Sequence, residues 1–193
     1  MSKVVAFTSS PRREGNTYQS LQMVIEPLKA AGIEVEVIDV YAGRPRGCMA
    51  CFYCLREKNG TCVIQDDPMN EWIAKAVEAD AVIFSSPTYF ANVTSEMKAL
   101  IDRMGMVSRV NGSLLKRKPF AAITAVRRGG AVPAFDAMNH MAQINEMIVV
   151  GSCYWNFAFG LEQGDVQNDD EGIQTMTTLG ENMAWLIQTI QGE

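Results

Sequence analysis

Residues 4–17 read VVAFTSSPRREGNT, a short apolar run followed by a polar turn rich in hydroxyls and basic groups. Apolar residues then recur at helical spacing over residues 18–28, and Gly32 is a natural helix stop. The stretch therefore predicts a strand, a loop and a helix. Backbone N–H groups at a helix start, together with hydroxyls, suit a phosphate monoester. Simple capping of the helix by Asn16 or Thr17 is an equally good interpretation.

The alternation of strand and helix continues along the chain. Predicted strands are 4–8, 34–40, 81–84, 120–125 and 147–150, and predicted helices are 18–28, 68–78, 97–104, 131–146 and 173–190. This rhythm predicts an α/β fold, a doubly wound five-stranded parallel sheet in the flavodoxin-like order 2-1-3-4-5 with helices on both faces. We expect one domain over residues 1–193, with a cysteine-rich loop at 41–67.

Two further loops follow predicted strands. Residues 85–95 (SSPTYFANVTS) contain Tyr89 and Phe90, whose rings could flank a flat ligand. Residues 125–130 (AVRRGG) end in paired glycines, which allow close approach of the backbone to a ligand. An ordinary turn and a flexible connection are the plainer interpretations. Because the carboxyl ends of parallel strands share one edge of a sheet, we expect the three loops to form one binding site.

Four of the five cysteines have the spacing C-x2-C-x2-C-x7-C, and they are Cys48, Cys51, Cys54 and Cys62. Thiolates are soft ligands, and four of them suit a [4Fe–4S] cluster or a zinc ion. Empty thiols and a partial disulfide are the remaining alternatives. The fifth cysteine, Cys153, is expected to be a buried small hydrophobe.

Charge and composition narrow the classes of function. The net charge of −5 argues against a nucleic-acid-binding surface, which needs clustered Lys and Arg. The first apolar run is too short for a signal peptide, and no run is long enough to span a membrane, so we expect a cytoplasmic protein. No Ser-His-Asp set, glutamate pair or HExxH motif indicates hydrolysis. His140, the single histidine, is expected to be structural or solvated.

These stretches resemble the NADPH-dependent FMN reductase superfamily over nearly the whole chain. Residues 9–17 are similar to its phosphate loop, usually written GSPR-x-x-x-NT, with Ser9 in place of the common glycine. Residues 79–90 and 97–103 resemble its second flavin loop and the helix that follows. The compact cysteines, followed by VIQDD at 63–67, look like those of the iron–sulfur flavoproteins within this superfamily.

The resemblance implies two cofactors, FMN and a [4Fe–4S] cluster, with NAD(P)H as a co-substrate. It assigns the FMN phosphate to Ser10, Arg12, Asn16 and Thr17, with Ser9 beside them. It assigns the isoalloxazine and ribityl side to Pro87, Thr88, Tyr89, Phe90 and Asn92, with Gly129 and Gly130 near the ring edge. It assigns the cluster to Cys48, Cys51, Cys54 and Cys62.

The implied function is that of an FMN-dependent oxidoreductase passing electrons between a cluster or NAD(P)H and FMN. No catalytic side chain is expected, because the flavin carries the chemistry. Two alternatives are a cluster-free NAD(P)H-dependent FMN or quinone reductase and a non-enzymatic flavodoxin-like electron carrier. The expected partners are NAD(P)H or a redox protein, without nucleic acid or membrane. A homodimer or homotetramer is expected, since the aromatic run 154–159 suits a core or a subunit interface.

Overall fold

A parallel sheet forms the centre of the computed structural model, which describes residues 2–192. Its strands are β1 (Lys3–Thr8), β2 (Glu34–Asp39), β3 (Ala81–Pro87), β4 (Pro119–Val126), β5 (Ile148–Val149) and β6 (Phe157–Phe159). The order across the sheet is β2-β1-β3-β4-β5, with β6 also paired to β4. This confirms the predicted strand order 2-1-3-4-5. The order reverses between β1 and β3, and ligands bind at such switch points.

The fifth position of the sheet is divided between two short strands, where the sequence predicts one strand at 147–150. β5 pairs with the beginning of β4, and β6 pairs with its end. Between them the chain leaves the sheet, and the side-chain amide of Asn156 donates to the Ala122 carbonyl at 3.0 Å. That bond satisfies a buried acceptor of β4 where the ladder is interrupted, so the gap leaves no orphaned carbonyl at Ala122.

Helices cover both faces of the sheet, as predicted. They are α1 (Asn16–Ala30), α2 (Val40–Gly43), α3 (Tyr53–Glu57), α4 (Met69–Glu78), α5 (Ser95–Val110), α6 (Ala131–Ile144) and α7 (Asp170–Gln191), with a 3-10 turn at Asp165–Asn168. The short helices α2 and α3 lie at the start and in the middle of the segment that the sequence predicts as a loop. Too short to be stable alone, they depend on tertiary contacts.

Apolar side chains alternate between the two faces of β1 and build a core on each side. Val5 and Phe7 face the core under α4, α5 and α6, whereas Val4 and Ala6 face the core under α1 and α7. Phe7 and Phe120 both pack edge-on against Phe84, with ring centroids 5.6 and 5.2 Å from it. These fully buried contacts fix β1, β3 and β4 relative to one another, and with them the loops at their carboxyl ends.

Among residues 2–192, no helix combines the length and the apolar character needed to cross a lipid bilayer.

Candidate functional site

A cavity of about 230 Å³ opens at the carboxyl ends of β1, β3 and β4. We call it the strand-end cavity, and its lining residues are Ser10, Arg12, Asn16, Thr17, Pro87, Thr88, Tyr89, Ala125, Val126, Arg127, Gly160 and Leu161. Seven of the twelve residues assigned to FMN from the sequence line it. The other five, Ser9, Phe90, Asn92, Gly129 and Gly130, lie outside its lining.

The first loop leaves the beginning of α1 open to a ligand. α1 begins at Asn16, and its N-cap is Gly15, which has no side chain to bond the first turn. Capping by the side chain of Asn16 or Thr17 is therefore wrong, and N–H groups of the first helical turn keep their donor capacity. Ser10 Oγ accepts from the Arg12 N–H at 3.2 Å, which tightens the loop before the helix. The helix start has the form of an anion-binding site.

Buried hydroxyl groups near the strand ends lack partners. Among residues 2–192, the hydroxyl oxygens of Thr8, Ser9, Thr88 and Thr124 are buried without any hydrogen-bond partner. Buried polar groups in folded proteins are nearly always paired. A ligand rich in polar atoms would supply partners, and Thr88 lines the strand-end cavity directly. The residues present therefore fit a phosphorylated, hydroxyl-bearing group such as the ribityl phosphate of FMN.

The second loop is a tight turn that lifts an aromatic ring away from the surface. Tyr89 and Asn92 exchange both backbone hydrogen bonds, at 2.8 and 3.0 Å. Phe90 and Ala91 between them have positive φ angles of 47° and 57°, which few side-chain-bearing residues adopt. Phe90 is fully exposed as a result. Strained backbone of this kind persists where the surroundings hold it, often beside a ligand.

The third loop contacts the second through a glycine. Gly130 has a φ of 89°, and a Cβ there would lie 3.0 Å from the Ala91 Cα. The contact requires a residue without a side chain. Gly129 has open space around it. The two loops are therefore joined at Gly130, while Arg127 is the charged member of the third loop that reaches the cavity.

A fourth loop, after β6, completes the cavity, and the sequence analysis missed it. Gly160 and Leu161 belong to this loop. The Asn16 side-chain amide donates to the Glu162 carbonyl at 2.8 Å, and its oxygen accepts from the Gly164 N–H at 2.9 Å. Asn16, assigned to phosphate, thus uses its side chain to hold this loop. No local signal marks residues 160–164, because their partner is about 146 residues away in the chain.

The four clustered cysteines line a second cavity of about 290 Å³. We call it the cysteine cavity; besides the four thiols it is lined by residues 49, 50, 52, 53, 63 and 64 and by part of α5. Arg56 donates to the Cys51 carbonyl at 2.7 Å, and Asn70 accepts from the Cys62 N–H at 2.8 Å. These bonds tie the loop to itself and to α4, so the cysteines are not on a free tail.

One buried arginine links this loop to α5. Arg103 donates from Nε to Cys62 Sγ at 3.3 Å, and its guanidinium forms a salt bridge with Asp67. Burial of Asp67 opposes ionisation, but hydrogen bonds from Arg103 and from the backbone N–H groups of Arg46 and Met69 prevail and lower the Asp67 pKa below its usual range. The pair is therefore ionised at neutral pH.

The geometry of the thiols bears on which metal centre they suit. Among residues 2–192, no three Cys, His, Asp or Glu side chains are close enough together to hold one metal ion. A zinc ion needs all its sulfurs about 2.3 Å from a single point. A [4Fe–4S] cluster spreads its ligands, because each thiolate binds a different iron atom. The four cysteines nevertheless line one cavity. Burial raises the pKa of the Cys54 thiol. Because a metal ligand must be a thiolate, Cys54 would release its proton when it binds a metal centre.

Two expectations about single residues are also resolved. Cys153 is exposed, so the prediction that it is buried is wrong. His140 is exposed on α6, in agreement with a solvated role.

Comparison with known proteins identifies the family of the chain. The sequence model of the NADPH-dependent FMN reductase family matches residues 2–162. The chain is 33% identical over 195 residues to an iron–sulfur flavoprotein of Methanocaldococcus jannaschii, covering 98% of this chain and 99% of that protein. An iron–sulfur flavoprotein of Methanosarcina thermophila is 30% identical, with 98% and 97% covered.

Solved structures share the fold at lower identity. A flavodoxin, WrbA-like protein from Agrobacterium tumefaciens superposes with a TM-score of 0.68 at 18% identity, covering 98% of this chain and 99% of that one. At this identity the likeness concerns the fold alone.

Proposed function

The chain belongs to the NADPH-dependent FMN reductase family, and from this premise we propose that it exchanges electrons between FMN and a [4Fe–4S] cluster. The family makes it an FMN-dependent oxidoreductase. The cluster and the individual binding residues are our proposal. The observation that carries the cluster is the position of all four clustered cysteines on one cavity.

FMN is assigned to the strand-end cavity. The open start of α1, with Ser10, Arg12 and Thr17, would hold the phosphate, and the unpartnered Thr88 hydroxyl would meet a ribityl oxygen. Tyr89 at the mouth of the cavity would flank the ring. Arg127 adds a second positive charge to the same cavity, which favours a ligand with a dianionic end.

When bound, FMN supplies hydride and single-electron chemistry, and a cluster supplies electrons one at a time. The protein's own contribution is to hold and orient the two groups. α5 begins directly after the second loop and carries Arg103 eight residues beyond its first residue, about 12 Å along the helix. α5 therefore joins the second loop, whose first residues line the strand-end cavity, to the cysteine cavity, and this connection suits transfer between the centres they would hold.

The proposal is tested on protein prepared without oxygen. We expect a flavin absorbance spectrum together with iron and acid-labile sulfide, and oxidation of NAD(P)H with an added acceptor. Cys54→Ser should remove or degrade the cluster and leave FMN bound, because the two cavities use separate stretches of chain.

Cys153→Ser is the matched control, because Cys153 is exposed and does not line the cysteine cavity. It should change neither iron content nor FMN. Zinc in place of iron, or no metal in the wild type, would reject the cluster. Oxidation of NAD(P)H by metal-free protein would then identify a cluster-free reductase.

A further inference from the structure

We infer that Arg103 is a positioning residue that raises the reduction potential of the cluster through the sulfur of Cys62. The inference rests on the proposed cluster and adds to it a residue that is not a ligand. In the sequence, Arg103 is marked only by its place in the helix after the second flavin loop.

The Arg103 guanidinium makes four contacts with one segment of chain. Nε donates to Cys62 Sγ at 3.3 Å, and Nη1 contacts the Asp67 carboxylate and the Arg46 carbonyl, the latter at 3.1 Å. Nη2 donates to the Ile64 carbonyl at 3.3 Å. The arginine side chain has no exposed surface, and that of Asp67 is 5% exposed. The guanidinium is thus held in one orientation by the cysteine loop.

This orientation places the positive charge of the ion pair against the Cys62 sulfur and the negative charge on another side of the guanidinium. The Nε edge of Arg103 faces Cys62, whereas the carboxylate of Asp67 is held on the Nη1 side and also accepts from the Arg46 N–H at 3.0 Å. Asp67 offsets the buried charge of Arg103, so the charge does not itself require the sulfur. The Nε–H that points at Cys62 Sγ is a donor on a charged group, and such a donor bonds an ionised sulfur more strongly than a neutral one.

A cluster held by four thiolates is anionic, and one-electron reduction adds another negative charge. An N–H donor and a positive charge beside a ligand sulfur stabilise the reduced form more than the oxidised form. Arg103 therefore raises the midpoint potential. Asp67 neutralises part of the positive charge of Arg103 and therefore lowers the midpoint potential. The two members of one ion pair have opposite effects on the cluster.

The test compares three variants with the wild type by anaerobic redox titration with dithionite, followed by absorbance and electron paramagnetic resonance. Arg103→Gln should shift the cluster midpoint to more negative potential, and Asp67→Asn should shift it to more positive potential. Arg109→Gln is the control, because it removes an exposed cation from the same helix, and Arg109 lines neither the cysteine cavity nor the strand-end cavity. Its cluster midpoint should equal that of the wild type. The FMN midpoint in the same titration is the internal reference.

The opposite signs separate an electrostatic role from a structural clamp. Shifts of the same sign, or no shift in both variants, would overturn the inference. If Arg103→Gln binds FMN but contains no iron, the test rests on Asp67→Asn. Only a shift of its cluster midpoint to more positive potential then supports the inference. Loss of iron from both variants with FMN retained would identify a clamp and overturn it. Iron and sulfide in the wild type are measured first. Their absence rejects the proposed cluster, and this inference with it, before any variant is compared.

Discussion

Gly160 packs so closely against Asn16 that a side chain does not fit between them. A Cβ at Gly160 would lie 2.6 Å from Asn16 Nδ2 and 2.9 Å from Asp165 Cβ. We expect Gly160→Ala to displace the loop at 160–164 and to weaken FMN binding roughly tenfold, which is about 1.4 kcal/mol. Titration of the FMN-free protein with FMN, followed by flavin fluorescence, measures the affinity.

Gly151→Ala is the matched control for this substitution. A Cβ at Gly151 meets nothing within 4 Å, and the residue lies in the loop between β5 and β6, away from the lining of the strand-end cavity. Its FMN affinity should equal that of the wild type. An unchanged affinity in Gly160→Ala would remove the fourth loop from the binding site.

Single residues show which features of the site can be predicted from the sequence and which cannot. The loop around Ser10 and Arg12 could be predicted, because its hydroxyls, charges and helix start are neighbours in the chain. The role of Asn16 in holding residues 160–164 could not, because that contact forms only when α1 and the chain after β6 meet. The positive φ of Phe90 was equally hidden, since nothing in its residue type favours that conformation.

At the scale of elements, the junction between the second and third loops depends on one backbone conformation. Gly130 has a φ of 89°, and an added Cβ would press on Ala91 at 3.0 Å. We expect Gly130→Ala to lower the free energy of unfolding by about 1–2 kcal/mol for the left-handed backbone alone. Urea denaturation of FMN-free protein measures it without any contribution from ligand binding.

The adjacent Gly129 provides the comparison within the same loop. It has open space around its Cβ position and no positive φ. Gly129→Ala should change the unfolding free energy by less than about 0.5 kcal/mol. Equal effects of the two substitutions would contradict the proposed contact between the loops.

Helices and strands differ in how well the sequence predicts them. α1, α4, α5, α6 and α7 all appear near their predicted positions, because apolar periodicity reports which face is buried. The divided fifth strand did not follow from periodicity. Its two parts are defined by their pairing with β4 and by the hydrogen bond of the Asn156 side chain to β4. These contacts are between distant parts of the chain, so the pattern of neighbouring residues does not indicate them.

At the scale of the whole molecule, several large apolar side chains remain exposed on the second loop and around β6. Tyr89 and Phe90 belong to the second loop, and Trp155, Phe159 and Leu161 to the chain around β6; each is about half or more exposed. Soluble proteins usually cover such groups in an interface. We propose a homodimer or homotetramer, as the aromatic run predicts from the sequence.

Light scattering coupled to size-exclusion chromatography tests this assembly at micromolar concentration. We expect a mass of two or four times 21.3 kDa. Phe90→Ser should shift the equilibrium toward monomer, because it removes a fully exposed ring from the apolar surface. A wild type that elutes as a stable monomer would contradict the proposed assembly.

The strand order was predictable because parallel strands joined by helices have few allowed arrangements. The position of the cysteine cavity relative to the strand-end cavity could not be predicted from the sequence. The sequence places the cysteines between β2 and β3, whereas their cavity is completed by Arg103 and its neighbours on α5. That contact is a property of packing.

The divided strand at one side of the sheet also affects how molecules meet in concentrated solution. A long edge strand offers a row of free N–H and C=O groups onto which another chain can add and start an aggregate. Here β5 has two residues, β6 has three, and the chain leaves the sheet between them. At the opposite edge, Glu36 of β2 forms ion pairs with Lys3 and Lys75, so this edge strand carries charged groups. We expect the interruption of one edge and the charges beside the other to make the addition of a foreign strand unfavourable.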